Sequence, residues 1–121
     1  MSTETPERAH LIATLTRLPE PGEGISLPQG VGWLEVRADL AGEPAPAAAA
    51  ALAGAVPGGL VYTLRSRAEG GDGPDDPAAR AERLERAGRA AGEDGPRYGL
   101  VDLEAARDLH PEVLDAIPPE R

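Results

Sequence analysis

The sequence predicts an α/β fold of about four parallel strands joined by crossover helices. Three observations lead there. Four short apolar runs show the two-residue alternation of strands, Ala-rich or amphipathic stretches separate the later ones, and Pro/Gly-rich turns mark the junctions. The runs cover residues 10–16 (HLIATLT), 32–37 (GWLEVR), 60–65 (LVYTLR) and 98–104 (YGLVDLE). Strand, helix, strand at this spacing implies parallel pairing, because parallel neighbours need a crossover between them.

The connections differ in clarity. Residues 44–55 form an Ala-rich stretch opened by prolines and followed by Pro57-Gly58-Gly59, which predicts a helix. Asp76 is a fitting N-cap before Pro77, and a helix is expected from there to about Ala91. Its buried stripe is expected to be Ala81, Leu84, Gly88 and Ala91. The interleaved arginines and glutamates of residues 80–89 read as a solvated face. A short helix is expected over residues 111–117. Residues 16–32 contain Pro19, Pro21 and Pro28, so the first crossover is expected to be irregular rather than helical. Residues 1–9 are expected to be a flexible N-terminus, and residues 10–121 one structural unit.

Composition narrows the function. Leu, Ile, Val and Phe total 23 of 121 residues, so much of the apolar fraction is Ala, which buries little area. A net charge of -9 argues against non-specific nucleic-acid binding, which needs a basic face. No basic amphipathic or long apolar stretch suggests a membrane, and Met1 to Arg8 lacks the apolar core of a signal peptide. A cytoplasmic location is therefore expected. With no Cys, disulfides and thiolate sites are excluded. All twelve basic residues are Arg, so this chain offers no lysine amine for an imine.

Alternation also places the charges. Trp33, Glu35 and Arg37 share one face of the second strand, with Leu34 and Val36 on the other. Thr63 and Arg65 share a face of the third strand, opposite Tyr62 and Leu64. Asp102 and Glu104 share a face of the fourth, opposite Val101 and Leu103. Three successive strands thus repeat one design: apolar towards the helices, charged on the other face near the carboxyl end. This fits a (β/α) barrel or an open α/β sheet, whose sites gather at strand carboxyl ends. His10 and His110 lie at a strand start and beside a helix start, where capping or surface roles are expected. The Gly-rich stretch 69–73 lacks the Lys-Ser/Thr of a phosphate loop and reads as a mobile strand-to-helix loop.

At these residues the sequence resembles type I 3-dehydroquinate dehydratases. Glu35-Val36-Arg37-Ala38-Asp39 matches their E-x-R-x-D segment, Arg65-Ser66-Arg67-Ala68-Glu69-Gly70-Gly71 their R-S-x-x-E-G-G, and Asp102-Leu103-Glu104 their D-x-E. The resemblance covers about residues 10–117. It implies the first half of a (β/α)8 barrel and a metal-free, cofactor-free lyase acting on 3-dehydroquinate in the shikimate pathway.

By position, Glu35, Arg37 and Arg65 match substrate-contacting residues, and Thr14 matches a Ser near the substrate. Glu69 matches the carboxylate that orients the catalytic histidine. Asp39, Asp102 and Glu104 match supporting groups. The family's Schiff-base Lys and its His belong to later strands, so the 121 residues alone are expected to be inactive. The implied partner is a C-terminal half-barrel, with a homodimer as another way to cover the strand edges. The alternative is a non-catalytic half-barrel that binds a small polyhydroxy carboxylate or assembles with a complementary half.

Overall fold

A computed structural model describes residues 11–20, 22–89 and 98–117. Residues 1–9, His10 and Ala91 lie outside these. Four strands form one sheet: β1 (Leu11–Leu15), β2 (Val31–Arg37), β3 (Gly59–Thr63) and β4 (Tyr98–Asp102). All three pairings are parallel, and the strands lie side by side in chain order. That order steps in one direction without reversal, which is compatible with part of a barrel. The third and fourth strands end two residues earlier than the alternation suggested, so Leu64, Arg65, Leu103 and Glu104 belong to the loops beyond them.

The helices are α1 (Ala38–Ala41), α2 (Pro46–Gly54), α3 (Pro77–Gly88) and α4 (Pro111–Ala116). The one-turn α1 was not expected from sequence; at four residues it is too short to leave a periodic signal. Asp76 caps α3 as expected, its side chain accepting from the N–H of Ala79 at 3.1 Å. Among the described residues, no helix forms between β1 and β2. The prolines there remove donors and fix backbone angles against it.

One sheet face carries the core. Leu34, Val36, Leu60, Tyr62 and Leu64 are sealed against Ala49 and Leu52 of α2, Leu84 and Ala87 of α3, and Val113 of α4. Tyr62 meets Tyr98 edge-on, ring centroids 5.0 Å apart. The Tyr62 hydroxyl donates to Glu43 at 2.5 Å, and Arg83 donates to the same carboxylate. Burial, together with the Glu43 hydrogen bond, pushes the Tyr62 pKa up, so this hydroxyl stays protonated and serves as a donor.

The opposite face is capped differently at its two ends. Near the amino ends of the strands, the Trp33 indole lies across β3 and β4 and leaves no room for side chains beneath it. A Cβ at Gly99 would stand 2.8 Å from Trp33 Cζ3, and one at Gly58 would stand 2.6 Å from Cε2 and Nε1 and 2.5 Å from the Gly32 carbonyl. Glycine at 58 and 99 therefore lets one aromatic ring floor the face. Replacing Gly58 by Ala forces the indole and the β2 backbone apart. We expect a loss of about 1–3 kcal/mol in urea unfolding, with a shifted emission of the single tryptophan.

Candidate functional site at the strand carboxyl ends

Above the Trp33 floor the same face becomes polar. Thr14 and Glu35 are register partners on β1 and β2, and the Thr14 hydroxyl donates to Glu35 Oε1 at 2.8 Å. Thr63 donates to Glu35 Oε2 at 2.6 Å. The alternation of three adjacent strands aims these groups at one another, and both carboxylate oxygens are held. Glu35 is thus fixed as an acceptor on a half-buried surface, with lone pairs still available to a ligand hydroxyl.

Two arginines flank it. Arg37 makes a two-pronged contact with Asp39, at 2.9 Å through Nε and 2.8 Å through Nη2. Asp39 is fully covered and also accepts from the backbone N–H groups of Asp72 and Arg65. Burial opposes its charge, but the Arg37 fork and these two amides more than offset it and hold its pKa at about 2. Arg65 reaches Asp102 at 3.1 Å and stays one-third exposed, leaving guanidinium N–H groups for an oxyanion.

The loop between β3 and α3 is tied down rather than free. Ser66 pairs with Gly73, the Ser66 side chain accepts from Glu69 N–H, and Gly73 donates to the Arg65 carbonyl. A Cβ at Gly73 would stand 2.7 Å from that carbonyl, so the close approach needs glycine. This corrects the expectation of a mobile loop: hydrogen bonds across its base fix it. Glu69 itself is half-exposed at the rim and pairs with Arg107 at 3.4 Å.

A second correction concerns Arg80, expected on a solvated helix face. It is fully buried. Its fork grips Asp108 at 2.8 and 2.9 Å, and its remaining nitrogen donates to the Pro74 carbonyl at 3.1 Å. Asp108 also accepts from the Glu104 N–H at 2.7 Å. The Glu104 side chain, past the end of β4, turns inward and accepts from the Ser66 N–H at 2.9 Å, with Arg65, Arg80 and Arg107 all within 4 Å. The Arg86–Glu82 and Arg89–Glu85 pairs do lie on an exposed helix face, as the charge pattern implied.

Thr14, Glu35, Arg37, Asp39, Arg65, Asp102 and Glu104 therefore stand in one contiguous polar layer, and Glu69 joins it at the edge through Arg107. Sequence reasoning missed Thr63, Ser66, Arg80, Arg107 and Asp108. For Arg80 a signal existed: residues 80, 84, 87 and 88 form one helical stripe, and Arg80 is its only charged member. A cleft of about 550 Å³ lies elsewhere, between α2 and the β1–β2 connection, lined by Pro19, Ile25, Ala48, Ala51 and Leu52. Glu20 and Glu23 also line it, but none of the strand-end residues does.

No helix of the described residues is long and apolar enough to cross a membrane. Among those residues no cluster of three or more His, Asp or Glu is placed to hold a metal ion. No family model, curated protein or solved structure matches the chain.

Two outcomes follow from these contacts. Arg80→Met leaves Asp108 buried without its cation, and should cost about 3–5 kcal/mol in chemical denaturation. Asp39 should make folding acid-sensitive. Its pKa lies below the unfolded value, so its contribution, on the order of 2 kcal/mol, is present above about pH 4 and lost as pH falls towards 2. Stability measured against pH should lose that segment of its slope in Asp39→Asn.

Proposed function

We propose that the chain is the substrate-positioning half of a type I 3-dehydroquinate dehydratase, a lyase that converts 3-dehydroquinate to 3-dehydroshikimate and water. The observation that carries this reading is the polar layer itself. The three motif segments, separated in sequence, bring Glu35, Arg37, Arg65 and Asp102 onto one sheet face at the carboxyl ends of consecutive parallel strands.

A single sheet of parallel strands in chain order is compatible with a partial (β/α)8 barrel. Glu35 and Thr14 are direct register partners, whereas Thr63 lies two residues beyond Val61, the partner of Glu35. Asp102 pairs with Thr63 at the same height.

Within this reading each side chain has a task. Glu35, held by two threonine hydroxyls, accepts a hydrogen bond from a substrate hydroxyl. Arg37 and Arg65 offer donors to hydroxyl and carboxylate oxygens, and Asp39 and Asp102 keep each guanidinium turned to the site. Glu69, at the rim, is placed to orient an incoming imidazole. The imine-forming amine is not supplied by these residues, since the sequence contains no Lys. That absence also favours a second reading, a non-catalytic module that binds a small polyhydroxy carboxylate.

Calorimetry with quinate, a non-reacting analogue, tests the shared part of both readings. Binding is expected, and Arg65→Ala should weaken it about tenfold or more, the worth of one charge-assisted hydrogen bond. A folded protein that gives no heat with quinate would count against both. The readings separate when a polypeptide carrying the remaining strands is added with 3-dehydroquinate and borohydride. The lyase reading expects a reduced covalent adduct on that polypeptide's lysine; the binding-module reading expects none.

A further inference from the structure

The Glu104 side chain is 3% exposed, and its two carboxylate oxygens are treated differently. Oε2 accepts from the Ser66 N–H at 2.9 Å, whereas Oε1 is buried with no hydrogen bond among the described residues. A buried carboxylate oxygen left unpaired is costly, so a nearby donor gains by reaching it. Two guanidinium nitrogens stand just short of bonding distance: Arg80 Nη2 at 3.7 Å and Arg107 Nη1 at 3.6 Å. Arg80 is held in place by Asp108 and the Pro74 carbonyl, and advancing would stretch those contacts.

Arg107 is held more loosely. Its N–H and that of Asp108 donate to the Glu104 carbonyl at 3.1 and 2.8 Å, so its stem is anchored beside Glu104. The side chain, 21% exposed, also leans the other way, with the same Nη1 3.4 Å from Glu69 Oε1. Glu69 rises from a fixed stem too, since its N–H is held by Ser66. One nitrogen thus sits between two carboxylates and close to neither. An exposed ion pair contributes little, whereas the buried oxygen stands to gain a charge-assisted hydrogen bond away from water. The balance favours Glu104 once Glu69 lets go.

We propose that Arg107 is a positioning latch shared by Glu69 and Glu104, and that it seats on the buried Glu104 oxygen when Glu69 takes a cationic nitrogen base. An imidazolium or ammonium paired with Glu69 replaces the attraction that draws the guanidinium outward. Arg107 then needs to advance only about 0.7 Å to reach an ordinary bonding distance. Docking at Glu69 and closure onto Glu104 are therefore coupled, each favouring the other. Glu104 also holds the Ser66 amide and faces Arg65, so the same closure steadies the loop that carries the site. The latch rests on the lyase reading only for the identity of the base, an imidazole. The exchange itself concerns Arg107, a residue outside the matched motifs.

Glu69→Gln reproduces the released state, since the amide keeps the shape and loses the charge. Its urea midpoint should rise by on the order of 0.5 M, although an ion pair is lost. In an Arg107→Met background the same substitution should bring no rise, which separates the latch from a general relief of the chain's negative charge. Nitrogen-15 NMR reads the latch without any Arg107 variant. The Arg107 guanidinium protons should exchange with water more slowly in Glu69→Gln than in the unaltered chain. High concentrations of imidazolium chloride, set against sodium chloride of equal ionic strength, should slow the same exchange in the unaltered chain and leave Glu69→Gln unaffected.

An unchanged or lower midpoint in Glu69→Gln would overturn the proposal. So would a rise that persists in Arg107→Met, guanidinium exchange that is not slowed, or no response to imidazolium. None of these measurements involves quinate or a lysine adduct, so failure here and failure of the lyase reading are separately visible.

Discussion

The Arg80–Asp108 fork is the contact on which the strand-end layer depends. A guanidinium and a carboxylate with no exposure are stable only if each oxygen and nitrogen finds a partner. Here the partners belong to different segments: the Pro74 carbonyl after β3, and the Glu104 amide after β4. The fork therefore fixes two strand-to-helix loops to one helix. From Glu104 the constraint passes to the Ser66 amide and the Arg65 guanidinium, and so to the exposed layer. A buried interaction on the helix side sets the aim of an arginine on the open side.

What was legible in the sequence follows from how local the cause was. Alternation alone put Leu34 and Val36 against Glu35 and Arg37, because a strand sends neighbours to opposite faces whatever its partners. The Asp76 cap was legible because it acts within three residues. Arg80 was legible only in part: its place on the helical stripe pointed inward, but its compensation comes from Asp108, 28 residues away, and from a loop carbonyl. Glu104 failed for a related reason. Extending the fourth strand by two residues put it beside Asp102, but β4 ends at Asp102 and the chain turns Glu104 inward. Thr63 had its face assigned correctly, yet nothing local revealed that it shares Glu35 with Thr14.

Glycine has opposite uses at the two ends of the open face. Gly58 and Gly99 are empty so that the Trp33 ring can lie close over the backbone of the floor. Gly73 is empty so that the loop backbone can reach the Arg65 carbonyl and tighten the rim. The same lack of a side chain thus supports an apolar layer below and a polar layer above. Hydrophobic contact at the floor needs area, whereas the rim needs close backbone approach for directional hydrogen bonds.

The pairing of charges also explains why the layer tolerates being covered. An isolated guanidinium on a sheet face would resist closure, because removing water from an unpaired charge is costly. Arg37 and Arg65 each already hold a carboxylate, so a facing wall would desolvate pairs rather than single ions. Lower local polarity would then strengthen each pair's attraction and sharpen the orientation of the donors left over for a ligand. A partly exposed face whose named cations are all paired is therefore prepared for a second layer: its electrostatics are settled beforehand.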